Sequence, residues 1–133
     1  MLRIRPVVAA AVLAACFGAL GCATIADPAL VFEVSQRRYT QLMRYTDFEH
    51  AAHYVAPDDH TGFRERTAAL GDVRFTDYAL LDVEQTGSTA KAEVQYTGYR
   101  ASDPIVVSFV EEQEWHWEGG NWLVYSHIAE HTP

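Results

Sequence analysis

Hydrophobic periodicity changes once along this chain, at Gly71, and that change limits the fold more than any other feature. Before Gly71 apolar residues recur with a helical spacing; after it they alternate. From Ala29 to Thr46, the residues Phe32, Tyr39, Leu42, Met43 and Thr46 share one stripe, which predicts an amphipathic helix. Asp47 is placed to cap a second, shorter helix through Val55, with Phe48, Ala52 and Val55 on its inner face. Ala56-Pro57-Asp58-Asp59 reads as a turn, and Asp59 as the cap of a third short helix that ends near Leu70-Gly71.

The second half predicts four long strands. Val73 to Glu84 is followed by a turn at Gln85-Thr86-Gly87-Ser88, and Thr89 to Arg100 by a turn at Ala101-Ser102-Asp103-Pro104. Ile105 to Glu118 then folds back through Gly119-Gly120-Asn121 into Trp122 to His131. Helices first and an antiparallel meander second define an α+β domain, a single one over residues 29–133.

The N-terminus has a different composition. Arg3 and Arg5 precede a charge-free apolar run from Val7 to Leu20, the layout of a secretory signal and too short for a transmembrane helix of roughly 20 residues. Ala19-Leu20-Gly21-Cys22 resembles the lipobox of bacterial lipoproteins, although that family prefers Leu at the place of Ala19. Leu13-Ala14-Ala15-Cys16 fits the box better but leaves a short apolar core before it. Processing at Cys22 removes Cys16 and strands no free thiol in an oxidising compartment, which favours Cys22 as the lipid-bearing residue. The resemblance implies a signal peptide over residues 1–21, a tether over 22–28 and an exported, lipid-anchored domain. Because Ala23 is not Asp, it further implies the outer membrane, facing the periplasm, for a Gram-negative source.

Processing would take Arg3 and Arg5 from the ten basic residues, leaving eight against 18 acidic ones and a net charge of −10. That balance argues against nucleic acid as a partner and against electrostatic docking on anionic lipid. On this reading any hold on the membrane comes from acyl chains.

The order of elements resembles the nuclear transport factor 2-like fold, within the cystatin-like group. The stretch Trp115-His116-Trp117-Glu118-Gly119-Gly120-Asn121-Trp122-Leu123-Val124 carries the likeness most clearly. The resemblance implies N-terminal helices packed on a curved four-stranded antiparallel sheet that forms a cone. It also implies a homodimer through the outer sheet face, which the outward charges Lys91, Glu93, Glu112 and Glu114 neither require nor exclude.

Strand alternation picks out the candidate chemistry. Val73, Phe75, Asp77, Ala79, Leu81 and Val83 share one face, so Asp77 is a lone carboxylate among apolar residues. Kept from water, it would serve as a general acid or base; at a wet rim, or turned outward by a bulge, it would not. On the third strand Glu111 and Gln113 interrupt the face of Ile105, Val107, Phe109, Trp115 and Trp117, with Tyr96 on the strand beside them. Asp77, Tyr96 and Glu111 are thus the catalytic candidates, and Gln113, Trp115 and the helix residue Tyr39 the binding candidates. Ketosteroid isomerase and the polyketide cyclases, which share the suspected fold, use pocket carboxylates with tyrosines or histidines. Glu111 and Gln113 would instead be structural if they marked an exposed strand end.

His50 and His53 are three apart on the second helix, with His60 or Asp47 as further ligands, but both point away from the apolar stripe. No metal and no cofactor is expected. No Gly-x-Ser-x-Gly elbow or phosphate-cradling loop occurs. Two functions therefore stand. The first is a non-catalytic envelope module that binds an apolar small ligand or peptide, or docks on an envelope protein. The second is a small lyase or isomerase resembling ketosteroid isomerase, with Asp77 as base.

Overall fold

The computed structural model describes residues 27–131. The signal segment, Cys22 and the tether up to Ala26 lie outside the described residues.

Helix α1 spans Pro28–Arg44. Asp27, expected to end the tether with Pro28, opens this helix instead. Its carboxylate accepts from the Ala29 N–H at 3.0 Å, and Pro28 occupies the first turn, where no backbone donor is missed. The helix stops two residues short of the predicted Thr46. Thr46 takes φ 55°, and the Thr46 and Asp47 amides donate to the Met43 and Leu42 carbonyls, a Schellman close made without glycine.

Helix α2 is Phe48–Ala51, capped by Asp47 and tightened into a 3₁₀ turn over Ala52–Tyr54. After a second 3₁₀ turn, Pro57–Asp59, helix α3 runs over His60–Ala68. Asp59 does not cap α3; its carboxylate is drawn away to Arg66 at 2.6 Å.

The sheet consists of β1 Val73–Thr86, β2 Thr89–Arg100, β3 Asp103–Glu118 and β4 Asn121–His131, antiparallel in the order β1-β2-β3-β4. Gly119 and Gly120 both take positive φ, as a two-residue turn between twisted strands requires. The turns β1–β2 and β3–β4 lie at the same end, joined by a bond from the Trp117 N–H to the Ser88 carbonyl.

Helix α1 crosses the inner face of the sheet. At one end the Trp122 indole N–H donates to the Pro28 carbonyl at 2.9 Å, and at the other the Arg44 guanidinium donates to the Thr76 carbonyl at 2.6 Å. Phe32, Tyr39 and Met43 fill the space against Val94, Trp115 and Val124, with the Phe32 ring edge-on to Trp115 and Trp122. Val55 bridges to Val124 in parallel and covers part of the β4 edge. The β1 edge carries two bulges, between Phe75 and Asp77 and between Leu80 and Asp82, a device that discourages edge-to-edge pairing.

Candidate functional site

Three β2–β4 neighbours and one helix bring the polar set together. Val94 pairs with Glu111 and Ala92 with Gln113 across β2–β3, and Gln113 pairs with Ser126 across β3–β4. Pairs in register share a sheet face, so Tyr96, Glu111, Gln113, Trp115 and Ser126 all point towards α1. Tyr39, Thr40 and Gln36 meet them from the helix.

Glu111 is the centre of this arrangement and has 0% exposure. One oxygen accepts from the Tyr96 hydroxyl at 2.8 Å and the Gln113 amide at 2.7 Å. The other accepts from the Tyr39 hydroxyl at 2.7 Å and from the Ser126 hydroxyl. Four donors on two oxygens meet the acceptor capacity of a carboxylate, so burial leaves it no unsatisfied lone pair to speak of. Around it, the Gln113 carbonyl oxygen accepts from the Trp115 indole at 3.1 Å and the Gln36 amide at 3.2 Å. Thr40 accepts from both amides, at 3.0 Å from Gln36 and 3.2 Å from Gln113.

Burial raises the Tyr39 and Tyr96 hydroxyls well above their ordinary range, and the negative charge of Glu111 raises them further. Both phenols therefore remain protonated donors through neutral pH. Chemically the set is a carboxylate clamped by two phenols and an alcohol, a grouping suited to proton transfer wherever a substrate can reach it. Here donors from the protein's own side chains occupy both acceptor oxygens of Glu111.

Tyr96, Glu111, Gln113 and Trp115 are thus on one sheet face, as the alternation predicted, and Tyr39 meets them from the helical stripe. Asp77 is not. An extra residue, Thr76, is inserted between Phe75, which pairs with Gly98, and Asp77, which pairs with Thr97. That bulge flips Asp77 from the face of Phe75 and Tyr96 to the outer, exposed face, where its carboxylate accepts only the Tyr78 N–H at 2.8 Å. Gly98 makes the bulge feasible, since a Cβ there would collide with the Arg74 carbonyl oxygen.

Ser126, Thr40 and Gln36 were missed. Their signals were present: Ser126 continues the alternation of Trp122 and Val124, and Gln36 and Thr40 extend the helical stripe from Phe32. Both His50 and His53 are exposed; His50 bonds Asp47 at 2.8 Å, and His60 donates to the Val55 carbonyl at 2.9 Å. Among the described residues no group of three or more such side chains is arranged to hold a metal ion.

No family model matches the chain, and no curated protein does. Solved structures do. A ketosteroid isomerase-like protein from Erwinia carotovora atroseptica SCRI1043 superposes with a TM-score of 0.63 at 16% identity, over 78% of this chain and 96% of its own. RPA3114, a SEC-C motif containing protein from Rhodopseudomonas palustris, superposes with a TM-score of 0.54 at 16% identity, over 77% and 79%. At such identity the likeness establishes the fold, which is nuclear transport factor 2-like α+β with a curved four-stranded antiparallel sheet.

Proposed function

We propose that this chain is an exported, lipid-anchored envelope protein whose folded domain is a non-catalytic binding or assembly module. The observation that carries the second half is the closure of the cone. Glu111 has no exposed surface, and its four hydrogen-bond donors are the protein's own. An interior so occupied acts as core, and contacts with a ligand or partner then fall to the outer surfaces. Exposed apolar residues offer such contacts, among them Leu80, Leu81 and Val83 along β1, and Ile105 and Val106 at the start of β3.

The anchoring half rests on the lipobox-like Ala19-Leu20-Gly21-Cys22 and on a mature chain without a second cysteine. No described helix is long and apolar enough to cross a membrane; on this reading acyl chains on Cys22 supply the attachment. The alternative, a lyase or isomerase resembling ketosteroid isomerase, has lost Asp77 as its base, because that residue lies on the exposed outer face. What favours it still is the Tyr39–Glu111–Tyr96 set, which would have to open to admit a substrate.

Native mass spectrometry on protein extracted gently from its host's membranes tests the proposal. The expected result is a chain beginning at an acylated Cys22. A retained small molecule would indicate ligand binding, and a retained protein an assembly role. A bare chain beginning elsewhere would refute the anchor. Conversion of a ketosteroid or related carbonyl substrate that is abolished in Glu111→Gln would refute the non-catalytic assignment.

A further inference from the structure

Helix α1 has a second face that no described residue covers. Leu30, Val34, Arg37, Arg38 and Gln41 fall within roughly 100° of arc, opposite the buried stripe of Phe32, Gln36, Tyr39, Thr40 and Met43, and exposed Tyr45 caps the C-terminal end of the helix. Leu30 is 69% exposed, Val34 60% and Tyr45 71%, large values for apolar and aromatic residues on a helix already packed on its other side.

Charge is segregated across the molecule in the same sense. Arg37 and Arg38 lie on this face, while Arg44, also in α1, turns to the Thr76 carbonyl; Glu33 is the one acidic residue of the helix. Glu33 pairs with Arg37 at 2.7 Å, and the Arg44 guanidinium lies 4.7 Å over the Tyr45 ring. The opposite surface, the outer sheet face, is acidic. A groove of about 290 Å³ there is lined by Asp82, Glu84, Glu93, Glu112 and Glu114 with Lys91 among them. The overall charge of −10, which argued against contact with anionic lipid, averages over two unlike faces.

The third observation is where the chain enters. Pro28 begins α1 six residues after Cys22, a span of at most about 20 Å whatever its conformation. Helix α1 itself is about 26 Å long. A lipid on Cys22 thus holds the N-terminal end of this face within one helix length of the bilayer.

We propose that the outward face of α1 docks on a phospholipid surface with anionic headgroups. Leu30 and Val34 enter the interface beside the anchor, Arg37 and Arg38 meet the headgroups, and Tyr45 sits at headgroup level at the far end of the helix. The acidic sheet face is thereby turned away from the membrane and presented to the periplasm. The orientation rests on the reading of Cys22 as the anchor; the affinity of the face does not.

The test uses the full processed chain in vesicles, with a single fluorescently labelled cysteine introduced by Gln41→Cys or, on the sheet face, by Glu112→Cys. In phosphatidylcholine vesicles containing phosphatidylglycerol, a lipid-borne quencher should quench the label at position 41 several-fold more strongly than that at 112. Arg37→Gln with Arg38→Gln should lower the docking constant by about tenfold or more, as should salt that shortens the Debye length to about 3 Å. Both arginines are exposed, and an unchanged circular dichroism spectrum confirms that the fold survives. Equal quenching of both labels, stronger quenching at 112, or indifference to phosphatidylglycerol would overturn the proposal. So would a dimeric mass with the label at 41 protected from aqueous quencher, which would give the face to a second copy. Unacylated Cys22 would refute the anchor alone. Co-sedimentation of that chain with the same vesicles then decides the face, with loss of binding overturning it.

Discussion

Replacing Tyr39 or Tyr96 by Phe removes one hydroxyl each and leaves ring packing in place, so these substitutions isolate the donors on Glu111. Each hydroxyl donates to a carboxylate with no exposed surface, at 2.7 Å and 2.8 Å. A hydrogen bond to a charged group contributes about 1.5–3 kcal/mol, and water cannot replace the lost donor at a sealed site. Each variant should therefore lose about 2 kcal/mol, a large share of the roughly 5–15 kcal/mol that holds a domain of this size together. Both mutations weaken one carboxylate, so the double variant should lose more than the sum of the two singles. Urea unfolding followed by tryptophan fluorescence is a direct assay, because the Trp115 indole is bonded to Gln113 in the same network. The reasoning fails if each single variant costs under about 0.5 kcal/mol, a loss typical of surface substitutions. Strict additivity in the double variant would refute the idea of one shared acceptor even if the single losses are large.

Three further outcomes follow from local geometry. Gly98→Ala places a Cβ against the Arg74 carbonyl, which is backbone and cannot swing aside, so thermal unfolding should fall by an amount equivalent to about 1–3 kcal/mol of overpacking; an unchanged midpoint would contradict the close approach. Thr46→Gly relieves a β-branched residue of its left-handed φ of 55° and should stabilise the domain by about 1 kcal/mol in the same assay. The Tyr39 and Tyr96 hydroxyls are raised above their ordinary range by burial and by the Glu111 charge, so their contribution is intact below the unfolded-state value of about 10 and is lost as pH climbs beyond it. A spectrophotometric titration should accordingly show two of the seven tyrosines ionising only together with unfolding.

How far the site was legible depended on whether a strand kept its register. On β2 and β3 the pairing is unbroken from Thr89 with His116 to Tyr99 with Val106, and alternation placed Tyr96, Glu111, Gln113 and Trp115 on one face correctly. On β1 two inserted residues each flip the face, so Asp77 left the set while Tyr78 entered the inner side opposite Tyr96. Nothing local in Val73 to Glu84 announces these bulges. The cause of the first lies on the neighbouring strand, at Gly98, and only pairing reveals it. The missed residues Gln36 and Thr40 have another explanation. A stripe defined by apolar residues passes over polar ones at the same helical spacing, yet those two are buried because Gln113 supplies their partners from 73 and 77 residues away.

That dependence also explains why an acidic residue can sit at the centre of so small a domain. A lone buried carboxylate would be strongly unfavourable, and Glu111 with Gln113 on an otherwise apolar strand face gave reason to suspect an exposed end. The four donors come from α1, β2, β3 itself and β4, so the carboxylate is satisfied only when all four elements are assembled. The network thereby favours one register among β2, β3 and β4, since a one-residue slip would carry Tyr96 or Ser126 to the outer face. It also fixes the rotation of α1 about its own axis, because Tyr39, Thr40 and Gln36 must all face inward. With that rotation set, Leu30, Val34, Arg37, Arg38 and Gln41 can only face outward. The buried carboxylate and the exposed helix face are consequences of the same constraint, so a variant that loosens the first should also blur the orientation of the second.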